Sequence, residues 1–214
     1  MDYQLDPVEV RVLGSLMEKE ATTPEYYPLS LNALVNACNQ KSNRDPVVSY
    51  DETTVEEALD RLRSKNLAVR ITGHEVRVPK HAHRLAEVLN LGRREAALLC
   101  VLLLRGPQTL GELRGRAERM YNFDDLNAVQ ACLQKLIDWE PAPLVQQLPR
   151  QAGFKEPRFA HRLSGDVQLA APNSSETVTM AGSGTDRLSR LEAEVESLRR
   201  EVDELRRVWE EFQR

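Results

Sequence analysis

Residues 53–78, TTVEEALDRLRSKNLAVRITGHEVRV, read as a short helix running straight into a tight hairpin. Val55, Ala58, Leu59 and Leu62 recur at helical spacing, so one face of Thr53–Asn66 is apolar and packs inward. Thr53 and Glu56 have the spacing of a capping box, which sets the expected helix start. Two β-type runs follow, Leu67–Ile71 and Glu75–Val78. Thr72-Gly73-His74 joins them, and the glycine can take the positive φ of a tight turn.

Working back toward the N-terminus, Asp6-Pro7-Val8-Glu9 is a helix start, with an N-cap aspartate, a proline in the first turn and a glutamate at the third position. The helix it opens carries Val8, Val12, Leu13 and Leu16 on one face and is expected to end near Glu20. After a loop with Tyr26-Tyr27-Pro28, Ser30 can cap a second helix through Cys38, with Leu31, Leu34 and Val35 inward. Asn39–Asp51 is long for a connection between helices, and Asp45-Pro46 breaks any helix there. It holds the polar, basic cluster Lys41, Ser42, Asn43 and Arg44. The order helix, helix, third helix, hairpin is that of a winged helix-turn-helix domain, expected over residues 1–90.

Toward the C-terminus the pattern returns. His81–Leu91 reads as a connecting helix, and Gly92-Arg93-Arg94-Glu95 opens an apolar helix that Gly106-Pro107 ends. Thr109 and Glu112 form a second capping box, for a helix bearing Arg114, Arg116 and Arg119. Asp124 is the expected cap of a helix over Asp125–Trp139, with Leu126, Val129, Leu133, Leu136 and Ile137 inward. The β-type runs Leu144–Leu148 and Pro157–Leu163 complete a second winged domain, expected over 91–165. A local echo accompanies the repeated order: Pro79-Lys80-His81-Ala82-His83-Arg84-Leu85 returns as Pro157-Arg158-Phe159-Ala160-His161-Arg162-Leu163.

Residues 166–185 are rich in Ala, Pro, Ser, Thr and Gly without periodicity, as in a flexible spacer. Residues 186–214 take up a heptad, with Leu188, Val195, Val202 and Trp209 at a and Leu191, Leu198, Leu205 and Phe212 at d. The g-to-e pairs Arg187–Glu192, Glu194–Arg199 and Glu201–Arg206 are all opposite in sign, which suits a parallel homodimer. The alternative for this tail is a single helix folded back on the wings. The expected fold is therefore mostly α with small β-wings, an α+β chain of tandem winged helix-turn-helix domains and a C-terminal coiled coil.

Three segments, Leu5–Gly14, Thr22–Asn32 and Asn39–Pro46, together with Thr185-Asp186-Arg187-Leu188, resemble the YceH-like bacterial proteins, a family of unknown function. The resemblance runs over nearly the whole chain. It implies tandem winged-helix domains, and it brings no catalytic residues with it.

Composition narrows the function classes. Charged residues make up 29% and hydrophobic ones 41%, the balance of a soluble globular chain. Aromatics, at 5%, are too sparse for a platform that stacks single-stranded bases. No apolar run reaches the ~20 residues of a membrane span, and no secretory signal opens the chain, so a cytoplasmic protein without membrane contact is expected. Cys38, Cys100 and Cys132 lack metal or disulfide spacing and read as reduced core residues. His81-x-His83 has no partner spaced to complete a metal site and reads as two surface histidines at a helix start. Phosphate-binding glycine loops, nucleophile elbows and H-E-x-x-H are all missing from the sequence, so neither a cofactor nor an enzymatic activity is expected.

Charge is unevenly spread. Residues 1–90 carry 11 Lys/Arg against 14 Asp/Glu, and residues 91–165 carry 11 against 8, so only the second unit has the sign that attracts phosphates. A helical projection puts Thr53, Glu57, Asp60 and Ser64 opposite the apolar face of the first third helix, with Arg61 to one side. In the second it puts Asp124, Asn127, Ala131, Lys135 and Asp138 there. Candidate nucleic-acid contacts are therefore Lys41, Asn43, Arg44, Arg61, Arg70, Arg77, Arg114, Arg116, Arg119, Lys135, Arg150, Lys155 and Arg158. The expected role is a DNA-associated regulator or architectural factor without catalysis. The alternative is an adaptor that grips a protein partner with the same surfaces.

Overall fold

The computed structural model describes residues 3–73, 76–150 and 156–165, with side chains throughout except at Val76 and Arg77. Over these residues the chain is α+β, with seven helices and two small antiparallel sheets. Helix α1 (Pro7–Thr22) begins as the sequence implies. Asp6 accepts hydrogen bonds from the Val8 and Glu9 amides at 2.8 Å, and Glu9 accepts one from the Asp6 amide at 2.8 Å. The helix runs past Glu20 to Thr22, and every residue from Glu9 to Glu18 is buried. Sequence periodicity picked out one inward face; the structure makes α1 a central helix covered on several sides. Its buried Arg11 is satisfied by the Cys38 carbonyl at 3.1 Å and the Pro46 carbonyl at 2.6 Å.

The first unit continues with β1 (Leu29–Ser30), α2 (Leu31–Cys38), α3 (Glu52–Ser64), β2 (Ala68–Gly73) and β3 (Val76–His83). Ser30 caps α2, its hydroxyl accepting from the Ala33 amide at 3.3 Å. The cap of α3 is Asp51, whose Oδ1 accepts from the Thr54 amide at 2.8 Å; this corrects the expected start at Thr53. A carboxylate placed just ahead of the helix satisfies a free amide and puts negative charge at the positive end of the dipole. The expected helix over His81–Leu91 is also corrected. Strand β3 runs on to His83, and only α4 (Leu85–Val88) is helical. His81 stands opposite Arg70 on one side and Leu29 on the other, so β3 is the middle strand of the order β1-β3-β2 and is held as strand from both edges.

The second unit comprises α5 (Arg93–Arg105), α6 (Leu110–Ala117), α7 (Leu126–Ile137) and the pair β4 (Val145–Gln147) and β5 (Phe159–His161). Gly106, at φ 67°, ends α5, and the Thr109–Glu112 capping box forms at the start of α6. Asp125 rather than Asp124 caps α7, and Leu126, expected inward, is 45% exposed.

Equivalent hydrogen bonds relate the two units. Leu67 donates its amide to Leu62 and accepts from Arg84, each at 2.8 Å; Leu144 donates to Leu136 at 2.9 Å and accepts from Arg162 at 2.8 Å. His83 lies opposite Ala68 as His161 lies opposite Val145. Leu29 pairs with His81 in β3, and Gln108 bridges Phe159 in β5. The seven-residue echo in the sequence thus marks matching places at the end of each hairpin.

Both units contribute to one continuous buried cluster, with Leu13, Leu34 and Leu59 from the first and Leu98, Leu102 and Leu133 from the second. Helices α1 and α5 meet closely at Gly14, where a Cβ would stand 2.9 Å from Leu104 Cδ2 and 3.1 Å from Leu103 Cβ. The expected segments 1–90 and 91–165 accordingly fall within one compact unit, residues 1–168. The expected spacer and heptad tail, 166–214, lie outside the described residues.

Candidate nucleic-acid interface

Helix α3 turns Val55, Ala58, Leu59 and Leu62 inward. It leaves Glu52, Thr53, Glu56, Glu57, Asp60 and Arg63 exposed. Arg63 is tied to Asp60 at 2.6 Å, and Arg61 reaches Asp6 at 3.0 Å, Glu9 at 3.8 Å and Glu57 at 3.9 Å. Lys65, just past the helix, sits 2.7 Å from Glu9. The cations around α3 are thus engaged by neighbouring carboxylates, and its outward face is acidic.

Helix α7 is different. Its exposed residues include Asn127, Gln130, Ala131, Gln134, Lys135 and Asp138. Asparagine and glutamine carry a donor beside an acceptor, the pairing that matches an adenine edge in the major groove. Gln134 Nε2 lies 2.9 Å from both oxygens of Asp138, and Lys135 lies 3.7 Å from Glu95. The sequence projection missed Gln130 and Gln134 because it took only the centre of the strip. Their spacing of one helical turn was the signal available.

The other expected contacts separate into free and engaged groups. Lys41, Arg70, Arg119 and Arg150 are exposed, and none of them makes an ion pair among the described residues. Arg114 fastens the turn ahead of α7, donating to the carbonyls of Phe123 at 3.2 Å and Asp124 at 2.8 Å. Arg116 and Arg158 converge on Glu112, at 3.5 Å and 3.1 Å, and Arg158 also donates to the Pro107 carbonyl at 2.8 Å. Asn43, in the left-handed region at φ 60°, accepts a hydrogen bond from Arg105. The side chains of Arg77 and Lys155, and the dimerisation residues Leu188 to Phe212, lie outside the described set.

Arg44 departs from its expected role as a surface cation. It lies inside the protein, paired with Glu18 at 2.6 Å and hydrogen-bonded to the carbonyls of Ala37 and Asn43 and to Gln40. Its charge also helps, after desolvation, to lower the pKa of the neighbouring Arg11. The Asn39–Asp51 loop is a strap rather than a free surface: the Asp45 amide donates to the Leu104 carbonyl of α5 at 2.9 Å.

The three cysteines and the two histidines of β3 are buried. His81 and His83, expected on a helix surface, are buried on β3. Burial pushes His161 down to about 4 and lowers His81, where Arg70 adds to the effect. It also raises the thiols, Cys38 to about 11 and Cys132 to about 12, which keeps them protonated and unreactive. Among the described residues no group of three or more His, Cys, Asp or Glu could hold a metal ion, and no helix is long and apolar enough to cross a membrane.

The family model described as "Protein of unknown function, DUF480" matches residues 5–154, from the start of α1 through β4. The chain belongs to this family. Among curated relatives, a UPF0502 protein of Solibacter usitatus is 58% identical over 210 residues, covering 98% of this chain and 100% of the relative. A UPF0502 protein of Pelobacter propionicus is 56% identical over 216 residues, covering 99% of this chain and 98% of its own. The family match takes in the helices of both units and the Asn39–Asp51 strap, in agreement with the YceH-like resemblance of the sequence.

Proposed function

We propose that the chain is a tandem winged-helix factor that associates with duplex DNA through its second unit, as a regulator or architectural protein without catalysis. The winged-helix reading is supported by the repeated order of helices and hairpin and by the matched hydrogen bonds at Leu67 and Leu144. The observation that carries the DNA reading is the outward face of α7. It offers Asn127, Gln130 and Lys135, with Gln134 beside them engaged by Asp138, on the unit whose bases outnumber its acids. In this reading the amides meet base edges in the major groove, while Lys135, Arg119 and Arg150 meet phosphates. The heptad tail adds a homodimer that presents two such units to one duplex.

A second reading has its own observation. The exposed row Glu52, Glu56, Glu57 and Asp60 on α3 repels a phosphate backbone and suits a basic protein surface, as an adaptor requires. Anisotropy of a labelled duplex separates the two. Arg119→Ala with Lys135→Ala and Arg150→Ala abolishes most binding if α7 and its surroundings face DNA. Glu56→Gln with Glu57→Gln leaves it equal or tighter. Loss of binding from the α3 changes, with none from the basic ones, contradicts the assignment.

A further inference from the structure

A cavity of about 500 Å³ opens where α1, the end of β3, α4 and the first turns of α5 meet. Its volume falls within the roughly 300–1,000 Å³ of sites that enclose small organic ligands. The floor is apolar and buried, made by Met17, Ala97 and Cys100, and the Cys100 thiol is already spent on the Gly14 carbonyl at 3.4 Å. Exposed Ala21, Pro24 and Gly92 mark the mouth.

One wall is polar, and its chemistry is specific. His83 Nε2 lies 2.8 Å from Glu20 Oε2, and the histidine side chain is only 3% exposed. Its Nδ1 is buried without a hydrogen-bond partner. The same arrangement leaves Glu20 Oε1 open. The hydrogen bond from His83 holds the Glu20 carboxyl below its usual range, so it is ionised. An ionised carboxylate on the wall asks for a donor that brings positive charge. A purely apolar occupant would strip water from the carboxylate and return nothing, and an anion would be repelled. The Glu20 side chain is 50% exposed, and Arg93 is exposed at the mouth as well.

We propose that this cavity binds a small primary amine with an apolar body, its ammonium group on the Glu20 carboxylate and its body against Met17 and Ala97. The lining comes from both units, Glu20 and His83 from the first and Ala97 and Cys100 from the second, so an occupant bridges them. The inference does not rest on DNA binding.

Calorimetric titration of the full chain near neutral pH with three probes of similar shape tests it: 2-phenylethylamine, 2-phenylethanol and phenylacetate. The amine is expected to bind at one site per chain, at least ~10-fold tighter than the alcohol or the acid. Glu20→Gln is expected to weaken the amine by ~10-fold or more while leaving the alcohol unchanged. Ala21→Trp, at an exposed position on the rim, is expected to block all three without altering the far-ultraviolet circular dichroism. Alcohol or acid binding as tightly as amine overturns the proposal. So does amine binding that survives Glu20→Gln, or no heat from the amine up to ~10 mM.

Discussion

The guanidinium of Arg44 lies 2.6 Å from the carboxylate of Glu18, with none of the arginine side chain exposed and 9% of the glutamate's. The two residues belong to the strap and to the central helix α1, so their pairing fixes the Asn39–Asp51 loop to the core. Further bonds from Arg44 to the Ala37 and Asn43 carbonyls spread its remaining donors over backbone acceptors. Removing one partner would leave the other charge buried and uncompensated. Arg44→Ala is expected to cost about 3–5 kcal/mol of stability, whereas Lys41→Ala, on the exposed part of the same loop, stays within about 0.5 kcal/mol. Chemical denaturation of both variants checks this; equal effects would return the loop to the status of an open surface.

Glycines offer a second test, because their surroundings predict opposite signs. At Gly14 a methyl group would push into Leu103 and Leu104, so Gly14→Ala loses about 1 kcal/mol or more despite the better helix propensity of alanine. At Gly115 in α6 a Cβ would meet nothing within 4 Å, so Gly115→Ala gains up to about 1 kcal/mol. Melting temperatures that move in the same direction for both would show that α1 and α5 are not in the close contact described.

Much of this architecture was legible in the sequence. Asp6-Pro7-Val8-Glu9 and Thr109-Glu112 gave true helix starts because capping is a local contest among a few amides. Errors arose where a neighbour outside the local window decided the outcome. The strand character of His81–His83 comes from pairing with Ala68–Arg70 of β2, to which β1, some fifty residues earlier in the chain, adds a second partner at His81, and Arg44 is buried because Glu18 waits for it on another element. Charge runs read as solvated surface unless the partner is visible, and for Arg44 it was not. The candidate interface was read by the same means, with the same blind spot. Arg114 and Arg158 carry charge that the fold uses on backbone carbonyls, while Gln130 and Gln134, neutral and easily passed over, line the exposed face of α7.

Two histidines shielded by the fold are expected to contribute to the acid response. His161 has a folded pKa of about 4 against an ordinary 6.5, and His81 is lowered in the same direction. The unfolded chain therefore binds more protons between these values, and stability falls as pH drops through that window. For His161 the loss is on the order of 3 kcal/mol. Its stabilising contribution is fully present above pH ~6.5 and gone below ~4. Denaturation midpoints measured from pH 7.5 to 4.5 should fall for the natural chain and fall less for His161→Gln. A profile unchanged by that substitution would remove His161 from the explanation.

The heptad of residues 188–212 predicts a dimer of the full chain. Leu191→Glu with Leu198→Glu places charge at two d sites and should convert it to a monomer without changing its melting temperature by more than a few degrees. Sedimentation equilibrium at micromolar concentration reads the change directly. A natural chain that already sediments as a monomer would leave the tail as a single helix.

The proposed DNA contact is tested most directly by the salt dependence of binding. Each phosphate neutralised contributes roughly −0.9 to the slope of log affinity against log salt, so Arg119, Lys135 and Arg150 together account for about −2 to −3 per protomer. A labelled duplex of mixed sequence, titrated with the full chain between ~50 and ~300 mM KCl, should give at least that slope. Replacing the three cations by alanine should flatten it by the same amount. Absence of binding at ~50 mM salt, or a slope that the triple substitution leaves untouched, would contradict DNA association through the second unit.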